Sequence, residues 1–274
     1  MTGRLAGRTI VMSGGSRGIG LAILLAAARE GAGSVLLAKT DTPDPRLPGT
    51  VHTAVEEIET AGGKAVAVIG DVRVEADVVR AAATAVEEFG GIDIVVNNAS
   101  AISMAGTEAL PAKRFDLMQQ INARGTFLLT QACLGALRKS ADAQIVTLSP
   151  PINMAPEWLG KFPAYMISKY GMSLLTLGWA AEFGDAGIRA NCLWPQTMIA
   201  TAAFINLLGG PEAATRARTP AIMGDAAVAL LVDPSRPTGQ TLIDVEVLAS
   251  AGVVDLTPYG GTNDPEPDFF VDAR

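Results

Sequence analysis

Tyr165 and Lys169 stand four residues apart in Pro163-Ala-Tyr-Met-Ile-Ser-Lys-Tyr170, a stretch that reads as helix. Side chains at that spacing share one helix face about a turn apart, so a phenol and an ammonium would stand side by side. The ammonium favours the phenolate and draws the phenol pKa down from about 10 toward neutral pH. Such a tyrosine can give a proton to an oxygen or take one from it. Histidine usually does this work, but His52 is the sole histidine of the 274 residues. It reads as a loop or helix-start residue, and no His-ligated metal site is expected. The pair alone is a weak signal, and its meaning depends on what positions it.

A second group with chemical potential lies near the start. Thr9-Ile-Val-Met12 runs into Ser13-Gly-Gly-Ser-Arg-Gly-Ile-Gly20, and an Ala/Leu-rich helical stretch follows to about Glu30. Gly14, Gly18 and Gly20 between a strand and a helix let the backbone approach a diphosphate, and the helix start offers free N–H groups. Gly14-Gly-Ser16-Arg-Gly18 also spells a nucleophile elbow. An elbow needs a histidine base and normally follows several strands, so the phosphate reading is preferred. About 20 residues beyond such glycines an NAD site carries Asp or Glu for the ribose 2′-hydroxyl. Here Ala38-Lys39-Thr40 occupies that place. Lys39 attracts a 2′-phosphate, Arg17 can clamp it, and Arg46 is a third candidate. The cofactor so read is NADP(H).

The elements around these residues alternate. Strands are read at Ser34–Ala38, 64–69, Ile92–Val96, Ala143–Leu148 and 188–194. Helices are read at about 50–61, 75–89, 111–138 and 163–184. Short apolar runs between helices mean strands covered on both faces, hence a parallel sheet in a single doubly wound Rossmann-type α/β domain. Thr40 to Thr50, with Pro43, Pro45 and Pro48, interrupts the rhythm. The predicted domain is 1–254, followed by an acidic Pro/Gly-rich extension at 255–274, with Asp255, Asp264, Glu266, Asp268 and Asp272 against Arg274. Two readings of that tail stay open: a solvated extension, or one docked through Phe269 and Phe270.

A net charge of −7 argues against nucleic acid or an anionic membrane as partner. Cys133 and Cys192 form neither a disulfide framework nor a metal-ligand spacing, and read as reduced thiols of a cytoplasmic protein. No signal peptide or membrane span is expected, since Thr9-Ile-Val-Met12 is too short for either.

In order and spacing the glycine turn, Asp71-Val72, Asn97-Asn-Ala-Ser100, Asn122 and Tyr165-x-x-x-Lys169 resemble the short-chain dehydrogenase/reductase family over about residues 7–250. Leu148-Ser-Pro-Pro-Ile152 and Lys169-Tyr-Gly-Met172 resemble its hydroxysteroid dehydrogenase-like branch, subtype two, without the sterol-carrier domain of some members. The resemblance implies that Asp71 and Val72 hold the adenine and that Asn97 lies along the adenosine ribose. Lys169 would bond the nicotinamide ribose and lower the Tyr165 pKa, Asn122 would hold a relay water, and Pro195 to Thr201 would flank the nicotinamide. The expected cofactor set is completed by Ser13, Ser16, Ile19, Ala99 and Thr197.

Three departures concern the substrate end. The family's serine lies about 13 residues before the tyrosine, whereas Ser149 is 16 before it and precedes Pro150 and Pro151. Ser100 replaces a glycine, and Gln196 follows Pro195 where glycine is usual. The expected function is NADP-dependent hydride transfer to or from a carbonyl or secondary alcohol, with Tyr165, Lys169, Asn122 and Ser149 as catalytic residues. The alternative is a cofactor-binding scaffold without turnover. Met198 to Gly210 reads either as a lid favouring lipophilic ligands or as a core helix. Helix 163–184 carries apolar residues around its circumference, and the resemblance implies pairing through it in a homodimer or homotetramer.

Overall fold

Seven short apolar runs become the strands of one parallel sheet: β1 Thr9–Ser13, β2 Gly33–Ala38, β3 Lys64–Ile69, β4 Ile94–Asn97, β5 Gln144–Leu148, β6 Arg189–Trp194 and β7 Thr241–Ile243. The computed structural model describes residues 3–44, 47–208, 210–233, 238–261 and 265–272. Arg46, Asp264 and Arg274 lie outside the described residues. Strand order is β3-β2-β1-β4-β5-β6-β7, every pairing parallel. The doubly wound expectation therefore holds.

Alternation along the strands explains the two covered faces. Ile10, Met12, Ile94 and Val96 point to a layer made by α1 (Gly18–Arg29), α2 (Val51–Thr60), α10 (Ala221–Leu231) and α11 (Asp244–Ser250). Val11 and Val95 point to α3 (Glu75–Phe89), α5 (Gly125–Leu137) and α7 (Pro163–Glu182). α4 (Ala112–Met118) runs into α5 through a π-helical turn, Gln119–Arg124, so the long helix read at 111–138 contains a widened turn at Asn122. Such insertions cluster at functional sites. The shorter α6 (Pro156–Lys161), α8 (Ala202–Leu208) and α9 (Pro211–Ala214) lie in loops beyond the sheet's carboxyl edge. Among the described residues no helix is long and apolar enough to cross a membrane.

Charge fastens the opposite edge of the sheet. Asp142, just before β5, pairs with Arg8 before β1 at 2.6 Å and with Arg189 at the start of β6. Asp93 accepts from the Thr9 N–H at 2.8 Å and from the Ser140 hydroxyl at 2.5 Å.

The tail does not float. Met198 N–H donates to Glu266 O at 2.9 Å, Asp268 N–H to Gln196 O at 3.0 Å, and the Trp194 indole to Phe269 O at 3.0 Å. Phe270, 1% exposed, packs its ring against Trp158, Tyr165 and Tyr170 at centroid distances of 5.9, 6.1 and 5.4 Å. Of the two readings of the tail, docking is the one the structure carries. Phe270 has φ 68°, the one positive φ outside glycine among the described residues. Left-handed backbone in a bulky residue is held only where packing over-determines it.

Candidate active site

The sheet order reverses between β1 and β4, and a crevice opens beyond the carboxyl ends of neighbouring strands at such a reversal. There a cavity of about 490 Å³ opens, within the range of small-ligand sites.

Its floor is the glycine turn. Gly14 (φ 74°) follows β1, and a Cβ there would sit 2.9 Å from Asn98 Nδ2. At Gly20 a Cβ would meet Gly14 O at 2.5 Å. Both positions pack so closely that only glycine fits, and α1 begins within the turn, at Gly18. Arg17 occupies the N-cap position without a side-chain cap, so the first N–H groups of α1 keep their capacity for an anion. This arrangement fits the diphosphate of a dinucleotide.

At one end of the cavity stand Arg17, Lys39 and Asp71. Arg17 donates to Gly49 O at 2.8 Å, which ties the proline-rich insertion to the glycine turn. Lys39 is exposed and lies 3.4 Å from the Asp71 carboxylate, which is also paired with Arg73 at 2.6 Å. Burial raises the Asp71 pKa, but the bonds from Arg73 and the Lys39 charge outweigh it and hold the carboxyl at about 2.

At the other end are Tyr165 and Lys169, in the first turns of α7. Lys169 Nζ donates to Leu148 O at 2.8 Å and lies 5.1 Å from the Trp194 ring centroid. Burial lowers its pKa to about 7, against the charge of Asp268. Tyr165 differs from expectation. Burial, then the Asp268 charge, pushes its phenol above the ordinary value, while the Ser100 hydroxyl acts the other way. Desolvation of the phenolate outweighs any help from the neighbouring ammonium.

Gly14, Ser16, Arg17, Gly18, Ile19 and Gly20 all line this cavity, as do Lys39, Asp71, Val72, Ala99, Tyr165, Lys169 and Pro195. Others are placed elsewhere. Asn97 is fully buried, its amide donating to Thr130 Oγ1 at 3.0 Å and Thr147 Oγ1 at 3.4 Å. The next residue, Asn98, lines the cavity and bonds Gly14 O at 2.9 Å. Ser13 accepts from the Asn98 and Ala99 N–H groups and so holds β4's exit rather than forming the wall.

Thr197 and Ser149 are buried off the cavity, each with an unpaired hydroxyl. Ser149 sits beside the Cys192 thiol. The hydroxyl near Tyr165 comes instead from Ser100, and Ile152 stands where the resemblance puts a serine. Asn122 is fully buried, with its amide donating to Ala101 O at 2.9 Å and Ser168 Oγ at 2.8 Å while its carbonyl accepts from Ala101 N–H at 2.7 Å. Ser168 in turn bonds Tyr165 O at 2.7 Å, so Asn122 positions the start of α7.

Asp268 and Phe269 from the tail also reach the wall, as do Ile102, Met104 and Phe204. No periodic pattern marked them. For Asp268 and Phe269 the signal was confined to the acids and two aromatics of a Pro/Gly-rich tail, whereas Phe204 lies in the Met198 to Gly210 segment that reads as a lid or a core helix. Ala203 in α8 is exposed and Phe204 half-buried, so the apolar segment after Met198 is a wall of the cavity and not a core helix.

A family model described as short chain dehydrogenase matches residues 8–208. The hydroxysteroid dehydrogenase-like protein 2 of Danio rerio is 50% identical over 275 residues, covering 100% of this chain and 66% of that protein. That of Homo sapiens is 48% identical, with 99% and 65% covered. The chain thus spans just under two thirds of the length of these relatives. Among solved structures, a short chain dehydrogenase from Mycobacterium thermoresistibile is 49% identical with a TM-score of 0.93, covering 98% of this chain and 96% of that one.

Proposed function

The chain belongs to the short-chain dehydrogenase family, and from that premise we propose that it is an NADP-dependent oxidoreductase acting on a carbonyl or secondary alcohol. One observation carries the reading: a glycine floor with an open helix start, two cations, and the Tyr165–Lys169 pair line a single cavity. The α1 start would hold the diphosphate, and Arg17 and Lys39 the 2′-phosphate. When bound, the nicotinamide supplies or accepts the hydride. Tyr165 holds the proton that the substrate oxygen receives in reduction, and its raised phenol pKa suits a donor that must keep its proton until the oxygen becomes basic. Lys169 orients the ribose and offsets negative charge beside the phenol. The Ser100 hydroxyl, on the loop after β4, takes the place beside the phenol that Ser149 does not reach.

The substrate end is apolar, formed by Ile102, Met104, Trp194, Met198, Phe204 and Phe269, which favours a lipophilic carbonyl. Ile167 and Leu174 on α7 are 53% and 60% exposed, with Phe115 and Phe127 exposed on neighbouring helices. Apolar surface of that kind supports pairing of two copies. Two buried free thiols suit a reducing compartment such as the cytoplasm.

The test is NADPH oxidation against steroid, fatty-acyl and small aldehyde or ketone panels, with Tyr165→Phe as control. Turnover that the phenylalanine variant loses by at least a hundredfold is expected. The burial of Ser149 away from the cavity favours a second reading, a cofactor-binding scaffold. NADPH binding without turnover of any carbonyl would establish it.

A further inference from the structure

The tail runs as a strap from the loop after β6 to the loop after β5, and hydrogen bonds tie it to both. On the β6 side Pro267 bridges Thr197, and the Asp268 N–H donates to Gln196 O at 3.0 Å. On the β5 side the Asn153 amide donates to Asp272 Oδ1 at 3.0 Å and to Phe270 O at 3.4 Å. The Trp158 indole donates to the same carboxylate oxygen at 2.9 Å. Tyr170 of α7 holds Asn153 in turn, its hydroxyl donating to Asn153 O at 2.6 Å. The strap is therefore fixed from both flanks.

Phe269 stands between those ties. Its N–H donates to Asp268 Oδ1 at 2.7 Å, its carbonyl accepts from the Trp194 indole at 3.0 Å, and its ring meets Phe162 edge-on at 5.3 Å. The left-handed backbone of Phe270 separates the two neighbouring rings. Phe270 goes into the core, whereas Phe269 stays half-buried and lines the cavity. Apolar ring surface left open to a cavity is covered favourably by an apolar occupant.

We propose that the Phe269 ring is the end stop of the substrate cavity, a specificity-determining residue that sets how long an apolar carbonyl compound can be and still fit. The proposal rests on the reading of the apolar end as the substrate site. Met104 and Met198 share that wall, but a methionine side chain is unbranched and yields to a ligand. Phe269 has a rigid ring and a backbone bonded on both sides. The occupant must therefore adapt to Phe269, and carbons beyond the ring find no apolar surface to bury against.

The decisive experiment measures binding of straight-chain methyl ketones of increasing length to protein holding NADP⁺, which cannot reduce them. Quenching of tryptophan fluorescence reads the binding, because Trp194 lines the cavity. Affinity should rise about fourfold with each methylene buried and stop rising at the length that meets the ring. In Phe269→Ala the rise should continue to longer ketones, and in Phe269→Trp it should stop at shorter ones. The tryptophan variant separates the ring's own role from loosening of the strap, which could only lengthen the limit.

The same stopping length in all three proteins overturns the proposal. So does an alanine variant that weakens every ketone alike, since that marks a lost contact and no stop, and so does a protein that binds none of the ketones. Should Phe269→Ala fail to fold, judged by loss of NADP⁺ binding, Phe269→Leu carries the same expectation to a smaller extent. In NADPH-dependent reduction, kcat/KM should follow the same length limits. A limit that moves in binding while no ketone is reduced would keep the stop and reject the oxidoreductase reading. Reduction with an unmoved limit would do the opposite.

Discussion

Phe270 offers a test in which two substitutions are ordered by backbone and not by size. The side chain is fully buried among four aromatic rings, so truncation to Ala or Gly should cost about 3–5 kcal/mol in strap docking or global stability. At an ordinary position glycine is the worse of the two by about 0.5–1 kcal/mol, because the unfolded chain gains freedom. Phe270, however, has φ 68°, where any Cβ costs roughly 1–2 kcal/mol. The difference leaves Phe270→Gly more stable than Phe270→Ala by about 0.5–1 kcal/mol, the reverse of the usual order.

Urea unfolding followed by tryptophan fluorescence measures this directly, since Trp158 and Trp194 both touch the strap. Amide exchange at Met198, whose N–H donates to Glu266 O of the tail, and at Asp268, whose N–H donates from the tail to Gln196 O, distinguishes local release from global unfolding. If the alanine variant proves the more stable, the left-handed strain attributed to this residue is wrong.

Three further outcomes are expected. Asp71, with its pKa lowered from 3.8 to about 2, contributes stability that is present above the unfolded pKa and lost as pH falls through about 2. Asp71→Asn should thus cost about 1–2 kcal/mol at pH 7 after allowance for solvent screening and almost nothing at pH 2, measurable by denaturant melts at both. NADPH should bind more tightly than NADH, and Lys39→Asp should shrink that preference by about tenfold or more in a fluorescence titration; equal affinities in the unmutated protein would remove the role given to Lys39. Gly20→Ala forces a methyl to within 2.5 Å of Gly14 O, so overpacking should cost about 1–3 kcal/mol in a thermal melt and weaken NADPH binding at least tenfold.

Much of the fold was legible because a buried parallel sheet writes itself as short apolar runs between helices. β7 escaped notice because it is three residues long, too short for any period. The two ends of the site differed in the same way. The glycine turn and the Tyr165–Lys169 pair are local patterns, set by a turn and a helix repeat.

The choice between Asn97 and Asn98 depends on which way a residue faces at the end of β4, where a one-residue step reverses the side. Leu148 and Ser149 show the same step at the end of β5: Leu148 lines the cavity and Ser149 points away. Asp268 joins Lys169 in the wall of one cavity across almost a hundred residues of chain, through tertiary packing that no spacing announces. Desolvation of Tyr165 was equally hidden, because a spacing argument places the ammonium but says nothing of the dielectric around it.

The Arg8–Asp142–Arg189 cluster has a consequence for protein engineering. It staples three strands at the end of the sheet away from the cavity, and the cofactor and the reacting atoms would all lie at the other end. Rigidity and chemistry therefore occupy separate territories of one sheet. Substitutions meant to harden this protein against heat belong at the stapled margin, where added ion pairs can form a network without stiffening the loops that must admit and release substrate.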